Sequence, residues 1–142
     1  MNMLHEMSEE TDAVDDLSTL AWVHEELRRS LESAHKSLRR YLKEAEAVSG
    51  SDVDAVDPSV LRAARAHLHQ SVGALELIGL HGTARVLRAS ESAVQRFIAK
   101  SKPLGSAAVE AVESASFGVL DYLSRKLAGK GYVVFESLFD VS

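Results

Sequence analysis

Two histidines stand two residues apart in the stretch AHLHQSVGALELIGLHG, from Ala66 to Gly82, and a glycine follows the second by four. Near neutral pH an imidazole does two kinds of work: it ligates a metal, or a ring nitrogen acts as nucleophile or proton carrier. Two histidines of one helix grip one ion when they lie at i and i+4. His67 and His69 lack that spacing and leave opposite flanks, so no metal site is expected of them. Ser71 and His67 make a poor nucleophile and base, because they share a helix and no orienting acid accompanies them. His69 is the more interesting residue. It falls beside the apolar stripe of its helix rather than in it, with Arg62 and Arg65 toward the N-terminus and Gly73 and Glu76 toward the C-terminus. Glycine inside a helix costs roughly 1 kcal/mol relative to alanine. Either Gly73 is a packing accident, or something must come close to that imidazole.

The elements that would hold these residues are legible from apolar periodicity. From Leu17, positions Leu20, His24, Leu27, Leu31, Ala34, Leu38, Tyr41 and Ala45 recur at helical spacing, with charged residues between them. His24 is expected to be packed in that stripe. The stretch VSGSDVDAVDPS then breaks the period; Asp57 before Pro58 predicts a helix start, and the connection ahead of it is expected to be mobile. A second helix follows through Leu61, Ala64, Leu68, Val72, Leu75 and Ile78 and slackens at Gly79. A third runs from about His81 through Ala84, Leu87, Val94, Phe97 and Ile98. The fourth starts near Ser106, carries Val109, Val112, Val119, Leu123 and Leu127, and is expected to end at Gly129-Lys130-Gly131. Four amphipathic helices with short connections bury their stripes as an all-α, antiparallel up-down four-helix bundle. The expected organisation is a disordered acidic segment over 1–15, the bundle over 16–130, and over 131–142 either a C-terminal tail that folds back on the bundle or the start of a connector to a further module.

At 142 residues the chain suits one domain with a real core. It contains no cysteine, which excludes disulfides, thiolate zinc sites and cysteine nucleophiles. A net charge of −5 without a dense basic stripe argues against nucleic acid as a partner. Arg28, Arg29, Lys36, Arg39 and Arg40 alternate with Glu25, Glu26 and Glu32, the pattern of a solvated helix face. No apolar run approaches the roughly 20 residues that cross a bilayer, and the acidic N-terminus has no signal-peptide pattern. No membrane insertion is expected, and a cytoplasmic address is.

The HQSVG stretch resembles the central motif of histidine phosphotransfer domains, four-helix bundles whose second helix carries His-x-x-Lys-Gly and a further glycine six residues on. His69, Gly73 and Gly79 fill those places, and LRASE, ending at Glu91, is similar to the Leu-x-x-x-Glu feature of the third helix. DLSTLAWVHEEL ahead of an LHQ-x-x-G-x-L core, and FESLFDVS at the end, resemble the amino-terminal domains of chemotaxis-type hybrid histidine kinases of pilus and twitching-motility pathways. The resemblance implies that His69 is a phospho-acceptor, with Arg65, Gln70, Val72, Gly73 and Glu76 as the surrounding contact surface. It implies two partners, an ATP-binding histidine kinase catalytic domain and a receiver domain bearing an aspartate. No cofactor is expected in the domain itself, which would be a relay intermediate rather than a turnover enzyme. One departure stands out: Val72 occupies the place of the family lysine. The alternative is therefore a degenerate relative that keeps the bundle as a docking module without phosphotransfer.

Overall fold

The structure, a computed structural model, describes residues 3–48, 56–99 and 105–139, with side chains described over 16–48, 56–99 and 105–130. Within them the chain forms four helices: α1 (Met3–Ala47), α2 (Ser59–Leu77), α3 (His81–Ile98) and α4 (Ser106–Phe139). Helix α1 packs on α2 and α4, α2 packs on α3, and α3 meets α4 more thinly. The result is an all-α four-helix bundle whose grooves α2–α3 and α1–α4 lie on opposite sides. Most of the connection before Pro58, residues 49–55, lies outside the described residues.

The core is the one the periodicity predicts. Leu27, Leu31, Ala34, Leu38, Leu61, Ala64, Leu68, Leu75, Ala84, Leu87, Val94, Val109 and Leu123 are all fully or almost fully buried. Val23, Leu42 and Val56 join them from outside the predicted stripes. Ile78, Ile98 and Leu127 sit at the edge of the cluster, only partly covered. Buried Ser71 and Ser116 satisfy their hydroxyls by donating to the carbonyls of His67 and Val112, 3.0 and 2.9 Å away. That bond commits the Ser71 hydroxyl to backbone.

Helix limits differ from the predicted ones at both ends of the chain. Helix α1 begins at Met3 rather than near Leu17, where a disordered segment is expected. No glycine or proline interrupts the chain from Met1 to Ser49, and acidic residues near a helix N-terminus complement its dipole. Helix α4 continues to Phe139, past Gly129 and Gly131. A glycine costs a helix roughly 1 kcal/mol; it ends one when it takes the left-handed conformation, and Gly79 alone among the described glycines does so.

Two caps set the position of α2. At its start Asp57 accepts the Ser59 backbone N–H (2.9 Å) and the Ser59 hydroxyl (2.8 Å), and these bonds lower the pKa of its carboxyl group. At its end Gly79, at φ +83°, closes a Schellman motif. The Leu80 N–H donates to the Leu75 carbonyl (2.9 Å) and the Gly79 N–H to the Glu76 carbonyl (3.0 Å). Three residues thus turn the chain from α2 into α3. Gly79 has a structural reason to be glycine that needs no partner.

Candidate functional site

The tight turn lays α3 antiparallel to α2 and brings His69 opposite Glu91. His69 Nδ1 lies 2.8 Å from Glu91 Oε1. The His69 side chain is 73 % exposed, whereas that of Glu91 is only 13 % exposed. A carboxylate offers acceptors only, so Nδ1 carries the hydrogen and the lone pair of the neutral ring is left on Nε2. Arg65, one turn before His69, places Nη1 3.4 Å from the same Glu91 oxygen. The histidine, the carboxylate and the arginine form one polar cluster at the mouth of the α2–α3 groove.

That groove encloses about 540 Å³ and is lined from α2 by Arg65, His69, Val72, Gly73 and Glu76. From α3 it is lined by Arg88, Glu91, Ser92, Gln95 and Arg96. Arg88 forms a salt bridge with Glu76 across it. The structure therefore brings together five of the six α2 residues that the resemblance implies for the site. Gln70 is exposed but stands outside the lining, as does Arg62. Val72 is 4 % exposed and belongs to the hydrophobic core, presenting only an edge to the groove. Gly73 differs from Gly79: its φ is not positive, and a Cβ built on it would meet nothing within 4 Å. The bundle does not require a glycine there.

The α3 side of the groove has a weaker signature in the sequence. Glu91 is suggested only by the LRASE resemblance, and Arg88, Ser92, Gln95 and Arg96 by no motif. Their signal is positional: 88, 91, 92, 95 and 96 recur at i, i+3, i+4, i+7 and i+8, the spacing of one helix face.

The other histidines have different surroundings. His24 Nε2 and Ser124 Oγ are 3.1 Å apart, joining α1 to α4. His35 packs edge-on against Phe117, with ring centroids 5.7 Å apart, in a second groove of about 500 Å³ between α1 and α4. Its Nε2 is buried without a hydrogen-bond partner, and burial, with Arg39 assisting and Glu113 opposing, lowers its pKa. Among the described side chains of α1, Glu25, Arg28, Arg29, Glu32, Lys36, Arg40 and Glu44 pair along the helix, as a solvated face should. Arg28 forks between Glu25 and Glu32, and its hydrogen bonds hold the Glu25 pKa down at about 2. Arg39 departs from the pattern and reaches Glu113 of α4 at 2.6 Å.

Among the described residues no group of three or more histidines and acids is placed to hold a metal ion. No helix among them is long and apolar enough to cross a membrane. Comparison with family models, with curated proteins and with solved structures returned no match.

Proposed function

We propose that this chain is a histidine phosphotransfer domain of a two-component or chemosensory relay, with His69 as the residue that carries the phosphoryl group. The observation that carries the reading is the His69–Glu91 pair: a ring held at Nδ1 by a carboxylate, with most of its surface in solvent. In the loading step His69 Nε2 attacks the γ-phosphorus of ATP presented by a histidine kinase domain. The Nε2–P bond forms, the bond from phosphorus to the bridging oxygen breaks, and ADP leaves with the electron pair. The ring becomes cationic, and Glu91 stabilises its Nδ1–H or takes that proton. In the unloading step an aspartate oxygen of a receiver attacks phosphorus and the neutral imidazole departs. Such chemistry is largely positioning and charge stabilisation, and the partners bring the nucleotide and magnesium. A supply of ATP places the work in the cytoplasm.

Gly73 supports the same reading. The bundle has no packing need for it, and a bare helix flank one turn from His69 lets a receiver approach closely. The test is incubation of the chain with a histidine kinase catalytic core and ATP, scoring acid-labile phosphate. Wild type should label and His69→Gln should not; equal labelling of the two would remove His69 from the reaction.

A second reading, a docking module without phosphotransfer, is favoured by one observation. Val72 contributes an apolar, buried side chain where the resemblance calls for a lysine beside the phosphoryl group. In that case a receiver binds the α2–α3 face and no phosphate appears on His69.

A further inference from the structure

We infer that Arg88 is a switchable cation of the α2–α3 groove: it rests on Glu76 while His69 is bare, and turns to the phosphoryl group once His69 carries one. This rests on the phosphotransfer reading and adds to it the regulation of charge at that site. A phosphoryl group arrives with negative charge at a place already flanked by carboxylates. Glu91 touches the ring, and Glu76 lies on the same flank of α2 seven residues on, roughly 10 Å along the helix. Arg65 sits against the Glu91 oxygen that meets His69, so its charge largely offsets that carboxylate. Arg88 bridges the groove to Glu76 from one turn before Glu91 on α3.

The path between the two positions of Arg88 is open. Gly73 lies between His69 and Glu76 on the same flank, and a Cβ there would meet nothing within 4 Å. The exchange also has a direction. The Arg88 and Glu76 side chains are 49 % and 40 % exposed, and an ion pair so open to solvent holds weakly. A guanidinium on a phosphoryl group makes two parallel charge-assisted hydrogen bonds to a more highly charged partner. Arg88 is thus a positioning residue that sets how readily His69 takes and keeps phosphate. The competing explanation is a plain staple between α2 and α3, and it predicts a different response to mutation. Removing either partner breaks a staple equally, but removing Glu76 releases a switchable Arg88.

Potassium phosphoramidate separates these possibilities without a kinase. His69 Nε2 attacks phosphorus, the Nε2–P bond forms, the P–N bond of the reagent breaks, and ammonia leaves with its hydrogens and the bonding pair. The full chain would be treated near neutral pH and phosphate on His69 followed over time by peptide mass spectrometry, with helicity checked for each variant. Arg88→Gln should slow labelling about tenfold, the loss of one charged hydrogen-bonding group, and Arg88→Lys should recover part of it. Glu76→Gln should label as fast as wild type or faster, and Arg85→Gln, outside the groove, should match wild type. Arg88→Gln at the wild-type rate would overturn the role of Arg88 alone, as would equal slowing by Arg88→Gln and Glu76→Gln. Wild type that labels His67 or His81 but not His69 would overturn the phosphotransfer reading, and Arg88 with it.

Discussion

The α2–α3 groove and the α1–α4 groove lie on opposite sides of one bundle, have nearly the same volume, about 540 and 500 Å³, and hold one histidine each. They treat the imidazole in opposite ways. His69 points outward with Nδ1 anchored by Glu91, which fixes the hydrogen on one nitrogen and leaves the other available. His35 turns its ring against Phe117, its Nε2 is buried without a partner, and burial lowers its pKa. Glu113 is near enough to favour a charged His35, but Arg39 pairs with that carboxylate and pushes the other way. An anchored, exposed ring is equipped to react, whereas a half-buried, unanchored one serves the packing.

The largest effect should come from the core that both grooves share. Leu31 floors the α1–α4 groove and Leu75 lies on the core face of α2; both are fully buried. Each leucine-to-alanine change should cost about 2–5 kcal/mol in denaturant unfolding. A loss confined to one of them would mean that the two sides do not rest on a common core.

Two glycines of the α2 region sharpen the contrast between structure and access. Gly79→Ala forces a left-handed residue to carry a Cβ and should destabilise by about 1–2 kcal/mol. Gly73→Ala should instead stabilise, by up to about 1 kcal/mol, through helix propensity. On the phosphotransfer reading, Gly73→Leu should remain folded yet lose binding of a receiver domain, measured by calorimetry. Retained binding would move the interface off this face.

The smallest effect, and the one that separates the two histidines most directly, is pH dependence. His35 has its folded pKa lowered from 6.5, so the unfolded chain binds more protons between the folded value and 6.5. Its contribution to stability is complete above 6.5, falls as pH drops from there through the folded value, and is flat below it. His35→Phe keeps a ring against Phe117, removes the unpartnered nitrogen, and should flatten the thermal midpoint across that window. His69→Gln should leave the unfolding free energy within about 0.5 kcal/mol of wild type, as exposed substitutions do.

Much of this is legible in the sequence, for identifiable reasons. Apolar periodicity located all four helices and the central leucines, because a buried stripe must repeat every three to four residues. It missed Val23 and Leu42, which widen the stripe of a helix packed against two neighbours rather than one. His69 could be placed on a flank from helical phase alone. The ion pairs Arg65–Glu91 and Arg88–Glu76 could not, because they depend on the register between two helices, which periodicity within either one does not contain. The sequence also suggested a functional meaning for Gly79, but its positive φ and the two hydrogen bonds of the turn account for it.

That turn has a consequence for how the site comes into being. His69 and Glu91 are 22 residues apart in the chain, and the segment between them is the rest of α2, three turn residues and the first half of α3. Contacts so close in sequence form early and need little loop closure. The long α1 and α4 have to meet across nearly the whole length of the chain, as the 100 residues between His24 and Ser124 illustrate. The histidine and its carboxylate therefore belong to a helical hairpin that sets its own register, and one residue inserted into the turn would swing Glu91 about 100° around its helix and away from His69.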